Sequence, residues 1–187
     1  ERLLKLKETF KGKLNVNYIF INDGSSDNTL HILEENAKKD KNIKVVNFSR
    51  NFGQQIAVTA GLDYSKGDYV AIIDGDLQDP PELIYDMYEK SLEGYDIVYG
   101  KRIKRKQETI FKKLSAWGFY RVLKYMCNLD IPTDTGDFRL ITKDVREAFN
   151  KMREKHRFTR GMIPWTGFKS APMPFVRDER IAGETKY

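Results

Sequence analysis

The sequence predicts an α/β fold, in which a mostly parallel sheet is flanked by helices. Short apolar runs rich in β-branched and aromatic residues recur roughly every 25 residues, and helix-like stretches lie between them. Each run is nearly continuous in apolar character, which is typical of strands that helices cover on both faces. Strands that alternate with helices at this spacing form βαβ units, and such units assemble into parallel sheets.

The first predicted element is an amphipathic helix in the segment "ERLLKLKETF". Ser26 or Asp27 can cap the helix that follows the first strand, and Pro80 and Pro81 suit the first turn of a later helix. Strands are predicted at residues 17–21, 43–48, 69–74 and 95–100, and helices between them at residues 26–40, 53–65 and 80–94.

Length and composition indicate one folded domain, or one domain with a small appendage. The chain has 187 residues, of which 40% are hydrophobic and 12% aromatic, so disorder is not expected. A single cysteine, Cys127, excludes a disulfide framework and favours a reducing compartment. No signal-peptide pattern and no apolar run of about 18 residues occurs, so we expect the chain as given to be soluble.

The charge is distributed unevenly along the chain. Residues 1–100 carry 12 Lys and Arg against 17 Asp and Glu, a net charge of −5. Residues 101–187 carry 21 against 10, a net charge of +11. A basic half suits nucleic acid, phosphorylated ligands or an anionic membrane, but a solvated surface explains it equally well.

Two polar segments follow predicted strands and raise the question of a ligand site. They are "NDGSSDN" at residues 22–28 and "DGDLQD" at residues 74–79. In open α/β sheets, ligands bind in the crevice outside the carboxyl ends of the strands. We therefore expect both segments to line one crevice, with Asp23 and Asp74 close together.

The segment after the third strand has the residue types of a divalent-metal site. If the chain leaves the sheet extended, Asp74, Asp76 and Gln78 point to one side, because residues two apart do so. Such an oxygen set suits Mg²⁺ or Mn²⁺. The alternative is that Asp76 and Asp79 cap the following helix while Asp74 is exposed to solvent, and the pattern by itself leaves both open.

Four segments in order resemble a known family. They are "FINDGSSDNT", "RNFGQQIAVTAGLDYSKGDYVAIIDGDLQDPPELI", "DTGDFRLI" and "RFTRGMIPWTGF" continued by "RIAGETKY". These segments are similar to family 2 glycosyltransferases that make polyprenyl-phosphate sugars, such as bactoprenol glucosyltransferases, aminoarabinose transferases and dolichol-phosphate mannose synthases. The resemblance implies a single GT-A (Rossmann-like) catalytic domain over residues 1–187, with a nucleotide-binding part at 1–100 and an acceptor-side part at 101–187.

The resemblance also implies roles for individual residues. Asp137 lies near the reacting carbon of the sugar, either as a base or as a group that orients the acceptor, and Asp76 acts with it in catalysis. A divalent ion, Mg²⁺ or Mn²⁺, bridges the diphosphate of the donor. The implied nucleotide-binding residues are Asp23, Gly24, Asn51, Asp74 and Gly75; the metal ligands are Asp74, Asp76 and Gln78; the acceptor phosphate meets Arg102, Arg105 and Arg139; and Arg180 and Lys186 belong to a lid.

The implied reaction is the inverting transfer of a sugar from a nucleotide sugar, with a UDP-sugar favoured, to a polyprenyl phosphate on the cytoplasmic face of the cell membrane. The basic run at residues 101–113 and the aromatic-rich stretch at 114–129 favour contact with an anionic membrane surface.

The alternatives are a family 2 enzyme with a non-lipid saccharide acceptor, a Mg²⁺-dependent phosphoacceptor signalling domain and a basic nucleic-acid-binding module. A nucleic-acid binder leaves the acid cluster unexplained, so no nucleic acid is expected as a partner. Homo-oligomerisation stays open.

The two ends of the chain differ from the resembled enzymes. Those enzymes open with an apolar strand, whereas this chain opens with the amphipathic segment of residues 1–10. We therefore expect the sheet to lack an inner strand and the chain to lack an N-terminal segment. The resembled enzymes also continue past "AGETKY" into membrane-associated segments.

Overall fold

The structure is a computed structural model that describes residues 2–10, 14–103, 135–152, 154 and 157–177. Its helices and strands up to residue 102 agree with the predicted order to within a few residues. The strands are β1 (Tyr18–Asn22), β2 (Ile43–Asn47), β3 (Tyr69–Ile72), β4 (Ile97–Arg102), β5 (Thr135–Thr142) and β6 (Ser170–Phe175). The helices are α1 (Arg2–Thr9), α2 (Thr29–Lys39), α3 (Gln54–Tyr64), α4 (Leu83–Leu92), α5 (Lys143–Lys151) and α6 (Thr159–Trp165).

Strand pairing within the described residues forms two sheets. Strands β1 and β2 are parallel, with Tyr18 opposite Ile43. The second sheet has the order β3-β5-β4-β6, in which β6 is parallel to β4 and β5 is antiparallel to both of its neighbours. The α/β class is confirmed, and the pairing is mixed because β5 returns between β3 and β4.

The four-stranded sheet has an apolar layer on each face. Leu140 and Ile141 are adjacent on β5 but enter different clusters, because successive side chains of a strand point to opposite faces. One cluster includes Leu6 of α1 and Met87 of α4, and the other includes Phe149 of α5. The prediction of strands covered on both faces is confirmed for this sheet.

The register of the four-stranded sheet determines which polar residues meet. Ile72, the last residue of β3, lies opposite Arg139 of β5. Two residues further along the antiparallel pair, Asp74 comes beside Asp137. Arg102 ends β4 on the other side of β5, and its Nη2 would lie 2.9 Å from a Cβ placed at Gly136. The fold thus collects acids and an arginine at one end of the sheet.

No helix within the described ranges is both long enough and apolar enough to cross a bilayer. The predicted membrane-contact segment lies almost entirely in residues 104–134, outside the described residues.

Candidate active site

Four carboxylates interact at the end of β3 and the start of β5. Burial raises the pKa of Asp74, and the negative charges of Asp137, Asp79 and Asp76 raise it further. Burial also raises the pKa of Asp79, although Arg102 and Arg177 oppose the shift. Like charges at this spacing repel one another, so the cluster needs cations or hydrogen-bond donors to be stable.

Gln54 joins two of these acids. It is the first residue of α3, and its Nε2 donates to Asp74 Oδ1 at 2.9 Å and to Asp137 Oδ2 at 2.9 Å. Both hydrogens of one amide group therefore stabilise carboxylates that would otherwise repel. Sequence analysis assigned no role to Gln54, although it lies inside the "RNFGQQ" segment that carried the resemblance.

Arg160 forms a bidentate ion pair with Asp137. Arg160 Nε lies 3.0 Å from Asp137 Oδ1, and Arg160 Nη2 lies 3.0 Å from Asp137 Oδ2. The hydroxyl of Thr159 is 3.3 Å from Asp137 Oδ1. With Gln54 included, the oxygens of Asp137 are largely occupied by donors, and the side chain is only 1% exposed. These donors fix the position of the Asp137 carboxylate.

The segment from Asp74 to Asp79 is turned, which corrects the expectation that it stays extended. Strand β3 ends at Ile72, and Leu77 adopts a φ of 53°, in the left-handed region that a leucine rarely occupies. Asp76 Oδ1 accepts the backbone N–H of Gln78 at 3.2 Å. The alternating-side argument for Asp74, Asp76 and Gln78 is therefore wrong, because the chain bends between them. Backbone strain of this kind is often found at functional sites.

The side chains of this turn nevertheless fit a divalent ion. Gln78 Oε1 is buried and accepts no hydrogen bond within the described residues. It accompanies the carboxylates of Asp74 and Asp76, and oxygen ligands of these types suit Mg²⁺ or Mn²⁺. Among the residues that the structure describes, no group of three His, Cys, Asp or Glu side chains is arranged to hold a metal ion. A ligand set built on these residues would therefore use the amide oxygen of Gln78.

Arg139 does not fit its predicted contact with the acceptor phosphate. Its side chain is buried within β5, where Nη2 donates to the carbonyl of Gly136 at 3.0 Å and Nε to that of Asp137 at 3.3 Å. Burial lowers the pKa of Arg139 to about 10, against the opposing charge of Asp137. The guanidinium is thus bonded to carbonyls of its own strand. Arg105, Arg180 and Lys186 lie outside the described residues.

Arg102 and Arg177 face the acid cluster from β4 and from the segment after β6. Arg102 Nη2 lies 3.8 Å from Asp79 Oδ1, and Arg177 Nη2 lies 3.8 Å from Asp76 Oδ2. Sequence analysis selected Arg102 but missed Arg177. The signal that could have found it was the acid cluster itself, which requires cations, together with the excess of Lys and Arg in the second half of the chain.

Asp23 holds the loop that precedes α3. Its two oxygens accept the backbone N–H groups of Phe52 at 2.6 Å and Gly53 at 2.9 Å. Gly24 must be glycine, because its φ is +70° and an added Cβ would lie 2.5 Å from the backbone nitrogen of Asn51. Asp23 and Gly24 therefore each have a structural role in this loop. The nucleotide contacts expected of Asp23, Gly24 and Asn51 remain predictions.

The two strand ends are linked through residues 53 and 54. Asp23 binds the N–H of Gly53, and the next side chain, that of Gln54, binds Asp74 and Asp137. The expected proximity of the β1 and β3 ends is therefore realised through this turn, although the two strands belong to different sheets.

Comparison with known proteins identifies the class. The profile of the family "Glycosyl transferase family 2" matches residues 1–149, and the chain belongs to this family. The uncharacterized glycosyltransferase YkcC of Bacillus subtilis (strain 168) is 52% identical over 188 residues, which cover 100% of this chain and 58% of that protein. A prophage bactoprenol glucosyl transferase homolog of Escherichia coli (strain K12) is 41% identical over 172 residues, covering 92% and 56%. The chain thus spans little more than half the length of these relatives.

Solved structures support the GT-A fold. The mannosyltransferase PcManGT from Pyrobaculum calidifontis, in complex with GDP-Man and Mn²⁺, matches with a TM-score of 0.59 and 16% identity, covering 97% of this chain and 53% of that one. Glucosyl-3-phosphoglycerate synthase from Mycobacterium tuberculosis, in complex with UDP, matches with a TM-score of 0.53 and 17% identity, covering 97% and 68%. The fold class predicted from the sequence is confirmed.

Proposed function

We propose that the chain is the catalytic part of a glycosyltransferase that transfers a sugar from a nucleotide sugar, UDP-linked, to a polyprenyl phosphate at the cytoplasmic face of the membrane. The observation that carries the proposal is the polar cluster at the end of β3, where carboxylates lie beside two arginines and beside the Gln78 amide oxygen, which has no hydrogen-bond partner among the described residues. A metal and two phosphate groups need those ligand types side by side. The names of the bactoprenol glucosyl transferase relatives support the lipid acceptor.

Asp74, Asp76 and Gln78 would hold the divalent ion, which when bound neutralises charge on the departing nucleoside diphosphate. Asp23 and the turn at residues 50–53 would receive the nucleoside, because Asp23 follows β1 and holds that turn. The neighbouring structures solved with GDP-Man and Mn²⁺ and with UDP support a nucleotide donor and a divalent ion.

Asp137 would orient the reacting groups. Its carboxylate is fixed by Gln54 and by two bonds from Arg160, so its position relative to the end of β3 is well defined. A phosphate acceptor is already ionised near neutral pH, so the reaction does not depend on removing a proton from it. Positioning therefore accounts for the role of Asp137 better than proton transfer does.

The test uses the full-length protein in bilayers with Mg²⁺ or Mn²⁺, a radiolabelled UDP-sugar and a polyprenyl phosphate. Metal-dependent passage of the label into the lipid fraction is the expected result. Label that appears only in a water-soluble saccharide would point to a non-lipid acceptor. A protein that neither binds UDP nor transfers any labelled sugar would refute the proposal.

A further inference from the structure

Two neighbouring glutamines at the start of α3 make hydrogen bonds of opposite kinds. Gln54 acts as a donor, because its Nε2 lies 2.9 Å from Asp74 Oδ1 and 2.9 Å from Asp137 Oδ2. Gln55 acts as an acceptor, because its Oε1 lies 2.8 Å from both the backbone nitrogen and the hydroxyl oxygen of Thr159. Ionised carboxylates only accept hydrogen bonds and a backbone N–H only donates them, so each amide group can be oriented in one way alone.

Gln55 supplies a cap to α6 from a different helix. Thr159 is the first residue of α6, and the N–H groups in the first turn of a helix have no partner within the helix. The preceding residue, Phe158, occupies the N-cap position, and its side chain has no hydrogen-bond acceptor. The amide oxygen of Gln55 takes the N–H of Thr159 instead, at a position where Thr159 is only 1% exposed. Gln55 therefore fixes where α6 begins relative to α3.

The start of α6 in turn holds Asp137. Arg160 follows Thr159 in the chain and makes the bidentate pair with Asp137. The hydroxyl of Thr159 lies within reach of Gln55 Oε1 at 2.8 Å and of Asp137 Oδ1 at 3.3 Å. Consecutive side chains of a helix point about 100° apart, so Gln54 reaches Asp137 directly while Gln55 acts through the first two residues of α6. One helical turn thus holds the Asp137 carboxylate by two routes.

We propose that Gln54 and Gln55 are a pair of positioning residues for Asp137, the first as a hydrogen-bond donor and the second as an acceptor. The inference rests on the proposed function for the reaction that Asp137 serves. Gln54 fixes the separation of Asp137 from Asp74, and Gln55 fixes the helix whose arginine pairs with Asp137. A displacement of about 1 Å in a reacting group can cost about 10²-fold in rate. Loss of either set of bonds should therefore lower kcat more than it weakens substrate binding.

The opposite roles allow one substitution at adjacent positions to serve as test and control in the full-length protein. Gln54→Glu removes the donor and places another carboxylate beside Asp74 and Asp137, whereas Gln55→Glu keeps an oxygen that can accept from Thr159. Lysine reverses the pattern, because Gln54→Lys supplies N–H donors to both carboxylates and Gln55→Lys has no acceptor. Both positions lie in the first turn of α3, so a new charge has nearly the same effect on the helix macrodipole at either one.

The measurements are kcat and KM for passage of a radiolabelled UDP-sugar into a polyprenyl phosphate with Mg²⁺ or Mn²⁺ in excess. We expect Gln54→Glu and Gln55→Lys each to lower kcat by about tenfold or more, while KM for either substrate changes by less than about threefold. Gln55→Glu and Gln54→Lys should lower kcat by less than about threefold. Equal kcat values for the two glutamate variants would overturn the proposal, as would a rise in KM with kcat unchanged.

Urea denaturation without metal gives a readout that needs no sugar transfer. Gln54→Glu should unfold at a lower urea concentration than Gln55→Glu, because the new charge meets two carboxylates at the first position and an N–H group at the second. If this order is observed while no lipid is glycosylated, the hydrogen-bond arrangement stands and the proposed function fails. Identical midpoints for the two glutamate variants would contradict the assigned donor and acceptor roles. If Gln54→Glu does not fold, the kcat of Gln55→Lys against that of Gln55→Glu still tests the acceptor role.

Discussion

Loss of Arg160 should destabilise the protein measurably, because Arg160 supplies two of the bonds to the buried carboxylate of Asp137. In Arg160→Met, Asp137 would keep its contacts with Gln54 and Thr159 but lose both 3.0 Å bonds from the guanidinium. Breaking a buried ion pair costs about 3–5 kcal/mol, and a hydrogen bond to a charged group contributes about 1.5–3 kcal/mol. Arg160 is 36% exposed and water can partly replace it, so we expect a loss of about 2 kcal/mol.

The assay is urea denaturation at neutral pH in the presence of EDTA, followed by circular dichroism. In a thermal melt of the same variant, a loss of about 2 kcal/mol in the free energy of unfolding corresponds to a fall of roughly 4–8 °C in Tm for a chain of this size. Asp137→Asn and the double variant complete a cycle that separates the pair from other contacts of Arg160. We expect a coupling energy of about 1–2 kcal/mol. A coupling energy near zero would show that the observed geometry contributes nothing to stability and would refute the reasoning.

Three further predictions follow from the same crevice. Burial and nearby carboxylates raise the pKa of Asp74 above its ordinary value of 3.8, so the folded protein loses stability as the pH rises above 3.8 and Asp74 ionises. Asp74→Asn should therefore be more stable than wild type towards urea at pH 7 without metal, and equally stable at pH 3. A less stable variant at pH 7 would contradict this. Gly24→Ala should lower the free energy of unfolding by about 2 kcal/mol in thermal denaturation, because its Cβ would meet the backbone of residues 50–51 at 2.5 Å. Gly75→Ala, whose Cβ would have no atom within 4 Å, should lower it by less than about 0.5 kcal/mol. Equal losses would argue against the steric explanation. Asp76→Ala should remove the dependence of UDP binding on Mg²⁺ or Mn²⁺ in calorimetry, and retained dependence would exclude it as a ligand.

The local part of the fold was predictable from the sequence, and the non-local part was not. Periodicity located β1 to β4 and the helices between them, since each element carries its own apolar pattern. It did not locate β5, whose buried residues include Asp137 and Arg139 as well as apolar side chains. A strand with charged residues at buried positions lacks the apolar pattern by which strands are predicted. Residues far away in the chain compensate its charges, so the local sequence gives no sign that they are buried. The resemblance selected Asp137, which the structure brings close to Asp74, without indicating that it lies in a strand.

The candidate site divides in the same way. Asp74, Asp76 and Gln78 were selected because they follow a strand, and local sequence contains that information. Arg160 and Arg177 were missed because an isolated arginine in a basic segment is usually solvated. Arg139 was predicted to contact a phosphate, whereas its side chain is buried and donates to carbonyls of its own strand, and no local pattern in the sequence indicates that burial.

The charges of the crevice bind the two halves of the chain into one unit. Asp74 and Asp79 come from the acidic first 100 residues, and Arg102 and Arg177, which interact with Asp79, come from the basic remainder. The backbone follows the same division, because β3 and β4 do not pair with each other and are joined through β5. A first half folded by itself would expose the edges of β3 and β4 and leave its buried carboxylates without their cations, both of which are unfavourable. The charge asymmetry in the sequence is therefore explained in part by the interior of this protein, where acids from one half meet arginines from the other.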